Sequence, residues 1–524
     1  MDIQLKGNLL REPLFTVYTD NATVTLSLTG VMAAMARGEI LNFSRLRPHQ
    51  RPAWHMFLVQ LGALALWTSG LDDMPSDEES WQFLFGKLTP GFKNDEPWQL
   101  VVSDRSKPAF MQAPDPGSLK WKRVSTPDEL DMLITTRNHD LKRQLARQSA
   151  AEDWIFALVS LQTMEGYGGR GNYNIARMNA RSSSRPMIGL APVGNQVHTV
   201  DESSWWRRDV NLLMKWRSVG NEGVVCKAGG KALIWLFDWP QDERLDPADL
   251  DPWFIEICRR IRLKTSINGI AAERSTSKSA RIEARAHKGV LYEPWGPVHK
   301  TDNKLFTLGE RDIDYRMLCR ILYSGDWEPP LLSQKAETDE GNMVLVAEAL
   351  SRGNSKTNGF RSRLVPVPET VVRKLLGNSV RNISKEQIED IKRIAKVLKV
   401  GLAMVSAGGK MDETTNKFQL KKQDYANAES AQISFQRKVD RIFFSALWKQ
   451  LEVSDRALQE RAEARYDFIN QLTEIAKSEF EVAMHGISCP SIRRLRAETR
   501  ARRFLMGQLF SMTQMMEAEC DVSS

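Results

Sequence analysis

The sequence has few cysteines, and no two of them lie close together. Five cysteines are spread over 524 residues, without a C-x-x-C pair. Small disulfide-stabilised proteins and zinc ribbons depend on closely spaced cysteines, so both classes are excluded. Isolated cysteines are typical of a reducing compartment, and we expect a cytoplasmic location.

Long apolar runs are also missing. The longest extends from Phe57 to Trp67 and is interrupted by Gln60 and Gly62. A membrane-spanning helix needs about 20 apolar residues, so we expect no membrane span and interpret this run as a buried helix. The N-terminus has no basic stretch followed by an apolar segment, which predicts that there is no secretory signal.

Common catalytic signatures are absent. The sequence has no phosphate-binding P-loop, no H-E-x-x-H zinc helix, no G-x-S-x-G nucleophile elbow, and only seven histidines. The adjacent His139 and Asp140 are typical of metal-dependent nucleases, but such sites need further ligands that the sequence does not supply. We therefore expect no catalytic site, no metal and no cofactor. A nuclease or phosphohydrolase that uses His139 and Asp140 stays as the alternative.

The charge of the chain permits an anionic partner without requiring one. The 73 Lys and Arg residues exceed the 65 Asp and Glu residues, which gives a formal net charge of +8. Hydrophobic residues make up 42% of the chain, as in globular proteins. The segment from Arg259 to Lys288 contains nine Lys and Arg but only two Glu. Its Ser, Thr and Gly residues favour a mobile loop that contacts phosphates, and a solvated charged face is equally compatible.

The pattern of the chain changes after Pro366. Before it, alternating segments such as Ala22 to Leu28 predict strands, and stretches such as Pro52 to Ser69 predict helices. After it come four amphipathic helical stretches, which begin near Ser384, Ala431 and Arg456 and after Pro490. We predict an α+β fold, with a mixed α/β domain over residues 1–368 and a four-helix bundle over residues 369–524.

One glycine-rich segment interrupts the mixed domain. It interleaves four glycines with hydrogen-bonding side chains: Gly166, Gly168, Gly169, Arg170, Gly171, Asn172, Tyr173 and Asn174. Glycine backbone can lie very close to a ligand, and short polar side chains fit a DNA minor groove about 6 Å wide. The segment predicts either a groove-binding loop or a tight turn that ends a helix.

Four segments, one of which includes the glycine-rich segment, occur in the order and at the spacings of a known family. They are Lys107–Gln112, Thr136–Lys142, Leu161–Pro186 and Arg352–Phe360. In these segments the chain resembles CasA, the large subunit of the type I-E CRISPR Cascade complex. The resemblance implies a subunit without catalytic activity that recognises the protospacer-adjacent motif in double-stranded target DNA and starts strand separation. It also implies binding to crRNA, to the backbone and small subunits, and to the helicase-nuclease.

The resemblance implies roles for particular residues. The loop near the 5′ handle of the crRNA corresponds to residues 136–147, in which the candidates are Arg137, Asn138, His139, Asp140 and Lys142. The minor-groove loop corresponds to residues 166–172, and Lys278 is the candidate for a lysine that contacts the motif. The wedge that separates the first base pairs corresponds to Asn354, Ser355, Lys356 and Thr357. A scaffold that only docks partners through its bundle is a third possibility.

Overall fold

The structure is a computed structural model, and it describes most of the chain. The described residues are 7–131, 133–134, 149–179, 182–194, 199–219, 225–267, 269–353, 356–411, 418–456 and 458–522. The chain divides into two compact units. The N-terminal unit consists of Met1–Ile313 and Gly325–Pro366, and the C-terminal unit consists of Asp314–Ser324 and Val367–Ser524.

Five of the described α-helices belong to the N-terminal unit: α1 (Leu28–Arg37), α2 (Arg51–Ser69), α3 (Glu78–Leu88), α4 (Ala151–Met164) and α5 (Glu202–Ser218). Short polar side chains cap three of them, because Ser27, Asp77 and Asp201 accept hydrogen bonds from backbone amides of the first turn. The apolar run from residue 57 to 67 lies within α2, where it is almost entirely buried. The prediction of a buried helix there is confirmed.

Within the described ranges, fourteen strands accompany these helices. They are β1 (Phe15–Tyr18), β2 (Thr23–Leu26), β3 (Asn42–Phe43), β4 (Lys122–Val124), β5 (Met187–Pro192), β6 (Lys231–Leu233), β7 (Leu250–Ile255), β8 (Arg260–Ser266), β9 (Gly269–Ser275), β10 (Val298–His299), β11 (Lys304–Leu305), β12 (Trp327–Glu328), β13 (Met343–Gly353) and β14 (Lys356–Val367). The strand orders are β2-β1-β3, β11-β10-β12, β14-β13-β5, β4-β9-β8 and β6-β7.

Two of these sheets flank the segment that follows α4. In the β4-β9-β8 sheet both pairings are antiparallel, and Lys122 lies directly opposite Arg274. In the β14-β13-β5 sheet, β13 is almost completely buried and pairs antiparallel with β5. A continuous core of Trp, Phe and aliphatic side chains lies beneath both sheets and around α2 and α4. The loops at their edges are therefore carried by a rigid base.

The C-terminal unit is helical. It contains α6 (Tyr315–Tyr323), α7 (Glu369–Val372), α8 (Asn378–Ser406), α9 (Lys422–Ala426), α10 (Glu429–Glu452), α11 (Leu458–Gly486) and α12 (Ser491–Val522). The long helices α8, α10, α11 and α12 pack against one another around buried apolar side chains. The predicted α+β class with a C-terminal helical bundle is confirmed.

The predicted start of the first bundle helix is wrong. Ser384 has the sequence pattern of a capping residue, but α8 begins at Asn378, and the Ser384 hydroxyl donates to the carbonyl oxygen of Arg381 within the helix. Serine in a helix interior satisfies its hydroxyl in this way, so the capping pattern alone does not define a helix start. The helix ends before Gly408 and Gly409, which both have positive φ, as predicted.

Candidate nucleic-acid interface

The glycine-rich segment forms a hydrogen-bonded loop after α4, and residues 166–174 are called the glycine loop below. The amide of Asn172 donates to the carbonyl oxygen of Gly169 at 2.9 Å, and the amide of Gly168 donates to that of Asn172 at 2.9 Å. Gly169 and Gly171 have φ values of +106° and +85°, which side chains with a Cβ rarely adopt. The tight turn expected from the sequence is therefore present, and two of its glycines are required by the backbone.

The glycines of this loop have different surroundings. Gly168 and Arg170 are exposed, and no atom of the described residues lies within 4 Å of a Cβ placed on Gly169. Gly166 and Gly171 are buried, and a Cβ on Gly171 would lie only 2.6 Å from the Cβ of Thr276. The outer edge of the loop is thus bare main chain at Gly168 and Gly169, followed by the exposed side chain of Arg170, while Gly171 allows the loop to pack closely on its neighbour.

Arg259 holds the two ends of the glycine loop together. Its guanidinium group donates to the carbonyl oxygen of Gly166 at 2.6 Å and to that of Tyr173, and the Arg259 side chain is 6% exposed. The carboxylate of Glu165 lies 3.7 Å from the same guanidinium group. The planar fork of arginine suits two acceptors at once. We call this arrangement the Arg259 clamp.

The clamp is itself fixed by α4. The side-chain oxygen of Gln162 accepts hydrogen bonds from the backbone amides of Cys258 and Arg259, both at 2.8 Å, and its amide nitrogen donates to the carbonyl oxygen of Arg259 at 2.9 Å. Gln162 is fully buried. Buried and satisfied polar contacts of this kind orient their neighbours, so the position of the Arg259 main chain depends on α4.

Lys278 lies beside the glycine loop, although about a hundred residues separate them in the sequence. The Tyr173 hydroxyl donates to the carbonyl oxygen of Lys278 at 2.8 Å, and the amide of Ser277 donates to the carbonyl oxygen of Gly171 at 2.9 Å. The Lys278 side chain is 65% exposed and lies 3.1 Å from the carboxylate of Asp242. The fold therefore brings together two of the sequence-predicted elements.

The first part of the basic segment is not a loop. It forms the antiparallel hairpin β8-β9, so the prediction of a loop is wrong for the residues of these two strands. Arg260, Arg262 and Arg281 are buried, and burial lowers the pKa of each to about 10. All three donate to backbone carbonyl oxygens, and Arg260 and Arg281 also lie over the Trp239 ring. The local charge surplus in the sequence therefore overstates the surface charge.

The predicted wedge includes the connection between β13 and β14, which are neighbouring strands of one sheet and form the β13-β14 hairpin. Lys356 is exposed, whereas Thr357 is 2% exposed; Asn354 and Ser355 lie outside the described residues. Just before the turn, the side chain of Arg352 donates to the carbonyl oxygen of Tyr167 in the glycine loop, at 3.5 Å. The hairpin and the glycine loop are therefore neighbours.

The other predicted sites are not described by the structure. Arg137, Asn138, His139, Asp140 and Lys142 all lie outside the described residues. Within the described ranges, no three His, Cys, Asp or Glu side chains come together in a way that could hold a metal ion. No described helix is long and apolar enough to cross a membrane.

Sequence reasoning did not single out Arg259. It is the first of the nine basic residues in the segment that ends at Lys288, and nothing in that run separates it from its neighbours. Its role depends on two carbonyl oxygens that lie more than 80 residues away in the sequence. A single sequence carries no signal for such a long-range side-chain to backbone contact.

Known proteins resemble this chain in structure but not closely in sequence. No family model and no curated protein matches it. The CRISPR-associated protein Cse1 from Acidimicrobium ferrooxidans has a TM-score of 0.64 and 13% identity, covering 97% of this chain and 99% of its own. CasA from Thermus thermophilus has a TM-score of 0.63 and 15% identity, over 97% of this chain and 100% of its own. A chain of a CRISPR RNA-guided surveillance complex has a TM-score of 0.57 and 14% identity, over 95% and 99%. The resemblance read from the sequence motifs is thus confirmed, and the chain has the CasA (Cse1) fold over nearly its whole length.

Proposed function

We propose that this chain is the large subunit of a type I-E CRISPR surveillance complex. Support comes from the fold, which extends over 95% of the chain in the comparison with a surveillance-complex subunit, and from the glycine loop, Lys278 and the hairpin, which lie next to one another. In this role the chain has no catalytic site of its own. It acts in the cytoplasm with crRNA, backbone and small subunits, and recruits a helicase-nuclease to opened target DNA.

The glycine loop is the element that we assign to recognition of the protospacer-adjacent motif. The single observation that carries this assignment is the bare main chain of the exposed Gly168 and the half-exposed Gly169, held in a fixed turn that lies beside the exposed side chain of Lys278. Bare backbone fits a groove about 6 Å wide, where side chains would clash. Since the minor groove mainly distinguishes A·T from G·C pairs, the protein should accept several related motifs.

The β13-β14 hairpin is the element that we assign to strand separation. Because Thr357 is buried, we assign the contact with DNA to Asn354, Ser355 and the exposed Lys356. Unstacking a base step costs a few kcal/mol, which an inserted turn can offset through new contacts with the opened DNA. Base pairing with crRNA then takes over the reading of the target sequence.

A substitution in the glycine loop tests this function. Gly169→Asp adds a negative charge at the outer edge of the loop, where the phosphates of a bound duplex would lie on both sides. In the assembled complex, a gel-shift titration with motif-bearing duplex should give a dissociation constant raised about tenfold or more, comparable with the loss from a mismatched base pair. Unchanged affinity would disprove the assignment of the loop.

Two control variants separate charge from backbone strain. Gly169→Asn is nearly isosteric with Gly169→Asp but neutral, so it should weaken binding less. Gly341 also has positive φ, at +72°, with no described atom within 4 Å of its Cβ position. Gly341→Asp therefore introduces the same charge at another glycine of positive φ in the N-terminal unit, and we expect wild-type affinity.

A further inference from the structure

Two cations lie directly opposite each other on the edge of the β4-β9-β8 sheet. Lys122 of β4 is the direct cross-strand partner of Arg274 of β9, and both residues are exposed. No ion pair joins either side chain to a carboxylate of the described residues. Like charges that lie directly opposite destabilise an antiparallel pair, so this arrangement is unfavourable in the isolated protein.

On the other face of the same sheet, the cross-strand pair joins opposite charges. There Arg123 lies opposite Glu273, and the carboxylate of Glu273 also binds Arg105 and Lys264. Charged residues on an edge strand protect it from aggregation, but this protection needs no second cation on the neighbouring strand. The like-charged cross-strand pair of β4 and β9 is therefore confined to one face and needs a separate explanation.

The pair lies close to the glycine loop. β9 ends at Ser275, one residue after Arg274, and two residues further the amide of Ser277 donates to the carbonyl oxygen of Gly171 at 2.9 Å. The three residues from Arg274 to Ser277 span at most about 10 Å. A polyanion that contacts the exposed edge of the glycine loop would therefore bring negative charge within reach of both side chains.

We propose that Lys122 and Arg274 form a subsite for the phosphate backbone of double-stranded DNA that flanks the groove contacted by the glycine loop. This inference rests on the proposed function and extends it. The Cβ atoms of directly opposite residues are about 5 Å apart, so the two head groups can contact neighbouring phosphates along one strand. Such contacts position the duplex and carry no sequence information. The bound phosphates would also relieve the repulsion between the two side chains.

The test compares a double variant with a control on the same strand. Lys122→Gln with Arg274→Gln removes two charges from the proposed subsite, while Arg123→Gln removes a charge from the opposite face, next to Glu273. Each protein is assembled with crRNA and its other subunits, and duplex affinity is measured between about 50 and 200 mM salt. Since each phosphate contact contributes about 0.9 to the slope of log affinity against log salt, the double variant should lose about 1.8 of that slope.

That change in slope has a measurable size. The affinity deficit of the double variant should be about twelvefold greater at 50 mM than at 200 mM salt. Discrimination between motif-bearing and motif-free duplex should stay at the wild-type level, and Arg123→Gln should keep the wild-type slope. A wild-type slope in the double variant, or an equal reduction in Arg123→Gln, would overturn the subsite.

Two further outcomes of the experiment would show that the bound polyanion is RNA or that the proposed function itself is wrong. Loss of crRNA from the assembled double variant, with its duplex affinity unchanged, would show that the occupant is RNA and would also overturn the inference. If the wild-type complex shows no motif-dependent duplex binding, the proposed function fails, and the inference fails with it. If the wild-type complex binds motif-bearing duplex and the double variant keeps the wild-type salt slope, the proposed function is retained and only the phosphate subsite is disproved.

Discussion

The Arg259 clamp yields the sharpest prediction about the glycine loop. Arg259 is almost fully buried and donates to the carbonyl oxygens of Gly166 and Tyr173, one at each end of the loop. Arg259→Lys keeps the positive charge near Glu165 but replaces the planar fork with a single ammonium group. One lysine cannot reproduce both contacts in the same geometry, so one end of the loop should lose its hydrogen bond.

The magnitude follows from the lost contact. A hydrogen bond from a charged donor contributes about 1.5–3 kcal/mol, and each 1.4 kcal/mol changes an equilibrium about tenfold. Local opening of the loop should therefore become about 10- to 100-fold more frequent in Arg259→Lys. The amides of Gly168 and Asn172 report this opening directly, because both form the hydrogen bonds that close the turn.

Hydrogen exchange followed by mass spectrometry of the free protein measures the effect. Peptides covering residues 166–174 should exchange about 10- to 100-fold faster in Arg259→Lys. Arg217→Lys is the matched control, because Arg217 is also buried and binds Asp251 through both of its terminal nitrogens at 2.9 and 2.7 Å. Wild-type exchange of the loop in a folded Arg259→Lys protein would refute the clamp, and accelerated exchange in the control would show that the effect is global.

Two other substitutions test the hairpin and the segment that precedes α4. Lys356→Ala leaves the buried Thr357 intact and should slow opening of a 2-aminopurine-labelled duplex about tenfold with little change in affinity; an unchanged opening rate would contradict the wedge. Burial alone would raise the pKa of the Asp131 carboxyl, but the hydrogen bond with His49 and the charge of Arg47 outweigh it, and that pKa lies below its usual value. This stabilisation is present above the unfolded-state pKa and is lost as the pH falls through the lowered value. Asp131→Asn should therefore reduce the free energy of unfolding by about 1–3 kcal/mol at neutral pH and by much less near pH 3; a constant difference in urea titrations would contradict this reasoning.

Features carried by local pattern could be predicted from the sequence. The apolar run in α2, the helical C-terminal region and the turn at Gly169 all depend on residue type and spacing over short distances. The ordered family motifs predicted the CasA fold, which the similar solved structures confirm. Two of these motifs meet where Arg352 donates to the carbonyl oxygen of Tyr167 in the glycine loop. The start of α8 was missed, since a capping pattern is common and the packing of the preceding turn decides where a helix begins.

Features that depend on burial could not be predicted from one sequence. The sequence predicts exposed positive charges at Arg260, Arg262 and Arg281. In the structure each of these side chains donates to a backbone carbonyl oxygen in the interior. Conversely, Lys122 lies in a short basic stretch with Lys120 and Arg123 that carries no functional signal by itself. It becomes a candidate only because β4 pairs with β9 opposite Arg274. Surface charge depends on which side chains the fold leaves in water, and long-range pairing determines that.

The contacts around the glycine loop differ in strength, and this difference bears on how recognition and opening are related. The Arg259 clamp is short and charge-assisted, so it ties the loop firmly to the start of β8. The contact from the hairpin is the 3.5 Å hydrogen bond of Arg352, whose buried Nε and Nη1 have no hydrogen-bond partner among the described residues. Burial also lowers the pKa of Arg352, which is consistent with a guanidinium group that is poorly compensated. Because this contact between the hairpin and the glycine loop is weak, a change at the hairpin need not distort the loop. Substitutions such as Lys356→Ala should therefore affect duplex opening while motif discrimination persists.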